Sequence, residues 1–321
     1  MKTKNLLLIA PLIFSLSSCD FSSASSSPTS DTLSASVADS ASEEESTKPS
    51  VDQSDSDSQI SSDISPEEEW KLTWSDEFNS DKLDTTNWSY QQGNGSDYGI
   101  WGWGNNEQQY YRKDNVAVKD GNLVITAKKE SFGGSSYTSS RIRTAGLVSA
   151  TYGKIEARIS LPAGNGLWPA FWMLPETQFE NQGWPHNGEI DIMEAKGRLT
   201  NQTSSALHFA NNSNQHYYVS SENVFKLTDY TTIEEYHNYG VIWTKDSMSF
   251  YCDDNDFLTI NRSKWQTSAY SSEESGPFDQ PFHILFNMAV GGNFDGNTLP
   301  PDDFTSAEMK VDYVRIYSQR N

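Results

Sequence analysis

The sequence predicts an all-β domain in which two antiparallel sheets pack as a sandwich, and three observations support this prediction. Short runs such as 153–159 and 311–317 alternate apolar and polar residues with period two. Turn pairs such as Asp120-Gly121 separate the runs, and amphipathic helix patterns are nearly missing. Many short strands joined by polar turns are typical of a two-sheet sandwich.

The chain begins with features of a signal peptide. Lys2 and Lys4 precede an apolar stretch at 6–16, which is too short to cross a bilayer, since that needs about 20 residues. The stretch ends in Leu16-Ser17-Ser18-Cys19, which resembles a bacterial lipobox. We therefore expect residues 1–19 to be a lipoprotein signal peptide and Cys19 to be lipidated, which places the protein outside the cytoplasm, anchored to a bacterial membrane. The alternative is an ordinary secretory signal with a chance cysteine.

Residues 20–69 form a segment rich in Ser, Asp and Glu. It holds thirteen acidic residues and one basic residue, Lys48, and almost no aromatics. Such a segment buries too little apolar surface to offset the entropy lost on ordering. We expect a disordered acidic linker here and a folded domain over 70–321.

Strand signals recur along the folded part. A strand at 122–126 follows the Asp120-Gly121 turn, and strands at 239–243 and 248–251 flank Lys245-Asp246 as a hairpin. A longer apolar run at 281–290 ends at a pair of glycines. These runs supply the strands that the predicted sandwich needs.

Cysteine content and charge limit the partners. The chain has two cysteines, and since Cys19 is expected to be lipidated, Cys252 is most simply a buried thiol. The net charge of −21 argues against nucleic acid or anionic lipid as a partner. We expect a monomer that contacts the membrane only through its N-terminal anchor.

The run 189–194 places three carboxylates close together. In a regular strand Glu189 and Asp191 share one face, and the isoleucines that follow them point to the core. Continued alternation would turn Glu194 into the core, where an unpaired charge is costly. A β-bulge near Met193 would return Glu194 to the acidic face. The sequence therefore predicts a bulge and three carboxylates in a row.

Three carboxylates within roughly 13 Å of strand repel one another, so their closeness suggests a use. Retaining glycoside hydrolysis needs two carboxyl groups about 5–5.5 Å apart, one ionised and one protonated. A third carboxylate between them can separate their pKa values. A solvent-facing acidic stripe and a metal site are the alternatives.

Tryptophans surround the carboxylate run in the sequence. Trp168, Trp172 and Trp184 lie just upstream, and Trp101 and Trp103 lie further back. Flat aromatic faces suit the apolar faces of sugar rings, although part of this set is expected in the core. The polar turn at 105–107 could supply hydrogen bonds to hydroxyls.

Six motifs together resemble glycoside hydrolase family 16, and specifically its laminarinase-like (endo-β-1,3-glucanase) members. They occur in the family's order over about 74–317: Trp74-Ser75-Asp76-Glu77-Phe78, Asn105 to Tyr111, Gly166 to Leu174, Gly188 to Glu194, Leu207-His208-Phe209 and Asn287 to Gly292. The resemblance implies a jelly roll of the concanavalin-like kind with an open substrate cleft.

The resemblance also implies roles for individual residues. Glu189 is the expected nucleophile, Asp191 its assisting partner and Glu194 the general acid/base. The inserted Met193 resembles the bulged motif of laminarinases, whereas lichenase-type relatives have a shorter form. The substrate-binding residues expected from the motifs and the tryptophan pattern are Trp168, Trp172, His208, Asn106, Glu107, Arg143, Trp184 and Trp103.

Catalysis by this family needs no cofactor, but the resemblance implies a possible structural Ca²⁺ far from the cleft. Glu77, the carbonyl of Gly121, and Asp312 match its ligand positions, and oxygen ligands suit Ca²⁺. The chain departs from the family in the Trp-rich loop 99–104 and in Phe294, where many relatives carry Trp. Both departures put the preference for particular sugars in doubt.

The implied activity is retaining endo-hydrolysis of internal β-1,3-glucosidic bonds in laminarin-type β-glucan. Mixed-linkage β-1,3-1,4-glucan is the second expected substrate, and red-algal galactan a distant third. From a different class, a non-catalytic polysaccharide-binding surface lipoprotein would share the fold and the tryptophans. Such a binder would not need all three carboxylates.

Overall fold

The structure is a computed structural model that describes residues 70–177, 183–222, 225–228, 230–270 and 276–320. The predicted signal peptide 1–19 with its Cys19, and the predicted linker 20–69, lie outside the described residues. Within the described ranges every regular element is a β-strand or a short 3₁₀ turn. The all-β prediction is confirmed.

Eighteen strands occur in the part of the chain that the structure describes. In chain order they are β1 (Trp70–Asp76), β2 (Ser89–Tyr90), β3 (Gln109–Tyr111), β4 (Val116–Lys119), β5 (Asn122–Lys128), β6 (Tyr137–Ser139), β7 (Arg141–Arg143), β8 (Ser149–Ala150), β9 (Gly153–Ser160), β10 (Leu167–Pro175), β11 (Glu189–Glu194), β12 (Ser204–Ala210), β13 (His216–Ser220), β14 (His237–Trp243), β15 (Ser247–Cys252), β16 (Asn255–Asn261), β17 (Phe282–Val290) and β18 (Ser306–Gln319). The 3₁₀ turns are Ser96–Tyr98, Trp101–Gly104, Lys113–Asn115, Arg262–Lys264 and Asn293–Asp295.

The strands form two sheets. A ten-stranded sheet has the order β16-β15-β14-β9-β18-β5-β6-β3, with β1 also paired to β18 and β4 to β5. An eight-stranded sheet has the order β13-β12-β11-β10-β17-β7-β2, with β8 also paired to β17. Pairing is antiparallel as predicted, except that β3 and β6 run parallel. The carboxylate run is therefore a central strand of the eight-stranded sheet.

The core lies between the sheets, where alternation puts every second side chain. On β9, Ile155, Ala157 and Ile159 are fully buried, as the sequence predicted. All nine residues of β17 are buried, so both of its faces are covered. Burial on both faces explains why 281–290 reads as a continuous apolar run.

The predicted hairpin and the predicted Asp120-Gly121 turn are both present. β14 and β15 pair across the turn that contains Lys245 and Asp246. β4 and β5 are joined at Asp120 and Gly121, which both adopt positive φ, 53° and 74°. A two-residue turn with positive φ at both positions is the hairpin turn that Asp-Gly favours.

The described residues include no helix that could span a membrane.

Candidate active site

A β-bulge on β11 aligns the three carboxylates. Against β10, Phe171 pairs with Met193 and Trp172 with Asp191, so Ile192 is the extra residue. Against β12 the register also shifts between Asp191 and Glu194. Ile192 and Met193 are both buried in the core, whereas Glu194 is half-buried. The predicted bulge is confirmed, one residue earlier than Met193.

Each glutamate of the run accepts a hydrogen bond from an indole, and the aspartate between them forms an ion pair. The Trp184 indole N–H donates to Glu189 Oε2 at 2.9 Å. The Trp168 indole N–H donates to Glu194 Oε1, also at 2.9 Å. Between them, Asp191 Oδ2 lies 3.0 Å from His208 Nε2. The structure thus brings together six residues that the sequence predicted for the site: Glu189, Asp191, Glu194, Trp168, Trp184 and His208.

Burial raises the pKa of both glutamates. The pKa of Glu189 and the pKa of Glu194 each rise from 4.5 to about 8. The larger cause is burial, which penalises the charged form, and the second is repulsion by the charge of Asp191. The positive charge of His208 and the indole N–H groups act in the opposite direction. Because both glutamates adjoin the same Asp191, they lose protons as one coupled set. The raised pKa values favour the protonated form, which is the form that a general acid needs.

His208 carries the positive charge of this cluster. Burial alone would lower its pKa, but the hydrogen bond to Asp191 and the charges of the three carboxylates raise the pKa to about 9. Its Nδ1 lies 2.7 Å from Nε2 of His216, whose pKa is lowered by burial and by the His208 charge. His208 is therefore a cation that donates to Asp191 on one side and to neutral His216 on the other.

A second polar chain runs from β10 towards β3. The Trp172 indole N–H donates to Asn287 Oδ1 at 2.7 Å, and Asn287 Nδ2 donates to the Tyr111 hydroxyl at 3.0 Å. Tyr111 donates in turn to Glu107 Oε2 at 2.9 Å. Glu107 is 4% exposed, and burial raises its pKa. In this structure Glu107 supports the chain that fixes Trp172, and its predicted contact with substrate stays a prediction.

Arg141 is a site residue that the sequence analysis missed. Its guanidinium lies 4.6 Å from the ring centre of Trp103 and 4.7 Å from that of Trp172, and its Nε donates to Gln91. Trp103 is 5% exposed, so its ring packs against the Arg141 guanidinium inside the fold. Arg141 is also close enough to lower the pKa of Glu189. No period-two pattern indicates such a stack, because its three members come from distant segments.

The remaining predicted contacts lie around this stack. Arg143 lies two residues after Arg141 on β7, which puts it on the same face of the sheet. Its Nε and Nη1 are buried and make no hydrogen bond to any described residue. Asn106 is half-buried and donates to Asn297 Oδ1 at 2.7 Å. Arg143 thus has two buried donors that no described residue engages, and its contact with substrate stays a prediction.

Two clusters of described residues have the donor atoms that a metal ion needs. The donors of Glu189, Asp191 and His208 lie within 4.8 Å of one another, so the metal alternative at the carboxylates has a geometric basis. The donors of His237, Cys252 and Asp253 are equally close. There, however, His237 Nδ1 is engaged by Asp253 at 2.7 Å, and burial raises the pKa of the Cys252 thiol. Cys252 is buried, as expected.

Two of the predicted calcium ligands already pair with arginines. Both carboxylate oxygens of Glu77 accept from Arg315, at 2.9 and 2.7 Å. Asp312 shares one oxygen with Arg158 at 2.6 Å and retains the other. Gly121 precedes β5, whose residue Leu123 pairs with Val311, the neighbour of Asp312. The oxygen donors suit calcium by type, Arg158 and Arg315 compete with the ion for the two carboxylates, and the calcium site stays a prediction.

The model of "Glycosyl hydrolases family 16" matches residues 104–315, which include the carboxylate run. The chain is 39% identical over 263 residues to "Glucan endo-1,3-beta-glucosidase A1" of Niallia circulans and 37% identical over 268 residues to "Beta-glucanase" of Rhodothermus marinus. These matches cover 78% and 80% of this chain. The chain belongs to glycoside hydrolase family 16.

Family 16 membership agrees with the fold. The endo-beta-1,3-glucanase structure from Pyrococcus furiosus matches with a TM-score of 0.71 and 36% identity, over 80% of this chain and 98% of that chain. The curated relatives differ in length, since the matches span 38% of the Niallia protein and 87% of the Rhodothermus protein. The jelly roll implied by the motifs is confirmed, and the chain is a glycoside hydrolase.

A second family model, "Beta-glucan synthesis-associated protein SKN1/KRE6/Sbg1", matches residues 5–185. That match ends before Glu189, so it does not include the carboxylate run. The chemistry of the site therefore follows from the family 16 match alone.

Phe294, which the sequence analysis noted as a departure within family 16, lies beside the acid/base candidate. Its ring stacks on Trp168 with centroids 5.0 Å apart and planes 26° apart. Lys196 Nζ lies 4.6 Å from the centre of the same ring. Phe294 thus holds the Trp168 ring in the orientation in which its indole N–H donates to Glu194.

Proposed function

We propose that this domain is a retaining endo-β-1,3-glucanase that acts on laminarin-type β-glucan. The observation that carries the proposal is the row Glu189, Asp191 and Glu194 on one face, with an indole N–H on each glutamate and a cationic histidine on the aspartate. Two curated relatives named glucan endo-1,3-beta-glucosidases, from Niallia circulans and Cryptopygus antarcticus, are 39% and 37% identical to this chain, and each match covers 78% of it.

Each carboxylate has one role in the proposed mechanism. Glu189 is the nucleophile, Glu194 is the general acid and then the general base, and Asp191 positions and tunes Glu189. His208 positions Asp191, because its Nε2 lies 3.0 Å from the Asp191 carboxylate. The first step requires Glu189 ionised and Glu194 protonated, as in other pairs of catalytic carboxyl groups.

The reaction proceeds in two displacements. Glu189 attacks the anomeric carbon while Glu194 gives its proton to the leaving glycosidic oxygen, so the C–O bond breaks and a glycosyl ester forms. Glu194 then removes a proton from water, whose oxygen attacks the same carbon and releases Glu189. Two inversions give net retention of configuration.

The Glu189→Gln variant tests the chemistry. We expect hydrolysis of laminarin to fall by at least about a thousandfold while laminarin binding, measured by calorimetry, is kept. For the parent, NMR of the earliest products should show the β-anomer. Initial release of the α-anomer would contradict the double displacement.

Side-by-side assays on laminarin, lichenan and agarose test the substrate. We expect the greatest release of reducing sugar from laminarin, with mixed-linkage glucan second, because the bulge puts β11 in the form that resembles laminarinases. Relatives are also named for other activities, such as "Endo-1,3-1,4-beta-glycanase EglC" of Rhizobium meliloti at 32% identity. A higher rate on lichenan would replace β-1,3-glucan with mixed-linkage glucan as the main substrate.

The rival non-catalytic function has a relative of its own. "Beta-1,3-glucan-binding protein" of Penaeus monodon is 33% identical over 186 residues. A binder would show no turnover in either the parent or the Glu189→Gln variant. All three carboxylates and both indole donors favour the enzyme.

We further propose that the protein is a monomeric lipoprotein held outside the cytoplasm by a lipid on Cys19. The apolar stretch and the lipobox-like sequence support this proposal. Labelling with a fatty-acid analogue in a bacterial host should modify the parent and not Cys19→Ala. Release of the parent into the medium without label would favour the ordinary secretory signal.

A further inference from the structure

An aromatic group extends from the carboxylates to the edge of the eight-stranded sheet. Across neighbouring strands Glu189 pairs with His208, and His208 pairs with Tyr218. His216 lies two residues before Tyr218 on β13 and therefore on the same face. Together with Trp184 from the preceding loop, these rings form what we call the edge aromatic cluster: Trp184, His208, His216 and Tyr218.

The rings of the edge aromatic cluster pack in series. Ring centres of Trp184 and His216 lie 4.5 Å apart, and those of His216 and His208 lie 5.0 Å apart with planes within 10°. The His208 and Tyr218 rings lie 5.5 Å apart with planes within 21°. The packing and the 2.7 Å contact between the two histidines hold the cluster in one arrangement.

Much of this cluster is open to solvent. Trp184 and Tyr218 are each 51% exposed, and His216 is exposed as well. Exposed rings of this size beside a carboxylate site offer apolar surface to the C–H faces of sugar rings. No function described so far uses Tyr218 or His216.

The two sides of β11 differ in how they enclose a ligand. On the side of β10, β17 and β7, the site is built from buried groups, namely the Arg141 stack and the Asn287 chain. On the side of β12 and β13 stands the exposed cluster. During double displacement the glycosyl half stays bound to Glu189, whereas the leaving half must depart and let water in. The open side suits the leaving half.

We propose that Trp184, His216 and Tyr218 form the subsite that binds the leaving-group half of the β-glucan. The chemical class of the ligand is the glucosyl unit next to the bond being cleaved, on the side that is released first. This inference rests on the proposed function, since it assigns one side of the cleft of that same enzyme.

Two substrates separate this role from the chemistry. Laminarihexaose fills both sides of the cleft, whereas β-laminaribiosyl fluoride has a single-atom leaving group and fills only the glycosyl side. With the fluoride, Glu189 displaces fluoride ion, and water then releases laminaribiose. For Tyr218→Ala we expect kcat/KM on laminarihexaose to fall about three- to tenfold and kcat/KM on the fluoride to stay unchanged.

Tyr217→Ala is the matched control. Tyr217 is 50% exposed on the same strand but points to the opposite face, where it contacts Phe209. We expect this variant to keep the parent kcat/KM on both substrates. Thermal unfolding of both variants establishes that they are folded, and Tyr218→Phe, which keeps the ring, should behave nearly as the parent.

Transfer to an added sugar gives a second readout. An acceptor must bind where the leaving group was, so Tyr218→Ala should form less transfer product from the fluoride and added laminaribiose, at an unchanged rate of fluoride release. Equal losses on both substrates, or no loss on laminarihexaose, would overturn the leaving-group assignment. A parent inactive on both substrates would instead overturn the proposed function.

Discussion

The indole N–H of Trp168 lies 2.9 Å from Oε1 of Glu194. This contact stabilises the ionised form of Glu194 and so opposes the rise in its pKa that burial causes. A tryptophan that would otherwise serve only as a sugar platform therefore also adjusts the acid/base.

Trp168→Phe tests this double role. Loss of the N–H should raise the pKa of Glu194, so the basic limb of the kcat profile should move to higher pH. Phe keeps an aromatic ring against Phe294, so KM should change less than kcat, which we expect to fall roughly tenfold. The measurement is a pH–rate profile on laminarin. A basic limb that stays in place would mean that Trp168 acts only on binding.

His208→Gln should impair the enzyme most at low pH. The His208 cation lowers the pKa of Glu189 and Glu194, so its removal should leave Glu189 protonated over a wider range. We expect kcat/KM to fall at least about tenfold near pH 6 and to recover partly near pH 9. An equal loss at all pH values would indicate a steric role for His208.

Ionisation of Glu189 and Glu194 should destabilise the folded protein as the pH rises. Their folded pKa values of about 8 exceed the ordinary 4.5, so the stability they contribute is present below pH 4.5 and is lost as the pH rises through about 8. Glu189→Gln removes one of these groups. We expect its melting temperature to exceed that of the parent by a few degrees at pH 8 and to match it near pH 4.5. Equal melting temperatures at both pH values would mean that Glu189 ionises freely in the folded state.

Asn287→Ala should loosen Trp172. The substitution leaves the Trp172 N–H and the Tyr111 hydroxyl without the partner that the structure gives them. We expect a loss of about 1–3 kcal/mol in the free energy of unfolding and a rise in KM larger than the fall in kcat. Denaturant titration and steady-state kinetics measure the two effects. A fall in kcat alone would place Asn287 in the chemical step instead.

Chelation tests the calcium ion that the resemblance to family 16 implies. A calcium ion held by Asp312 and the Gly121 carbonyl would lie on the ten-stranded sheet, away from the carboxylates. EDTA should then lower the melting temperature by a few degrees without changing the initial rate, and Asp312→Asn should abolish this response. An unchanged melting temperature would show that Arg158 and Arg315 alone neutralise these acids. A lost initial rate would revive the metal reading of the carboxylate run.

Strands and turns are the features that local periodicity in the sequence predicts. Alternation at 153–159 and the Asp120-Gly121 turn were enough for the strands and hairpins, because side-chain direction in a strand follows from period two. The same rule, with the cost of burying a charge, was enough to predict the bulge that realigns Glu194.

Contacts between residues from distant segments follow from the tertiary fold and cannot be read from local sequence. The Arg141 stack joins three segments, and the row from Glu189 to Tyr218 crosses three strands. Packing also buries Trp103 and Glu107, which the sequence alone did not indicate, and their contact with substrate stays a prediction. Strand order and loop packing are long-range choices, and no local pattern encodes them, because they are set by how two whole sheets fill one core.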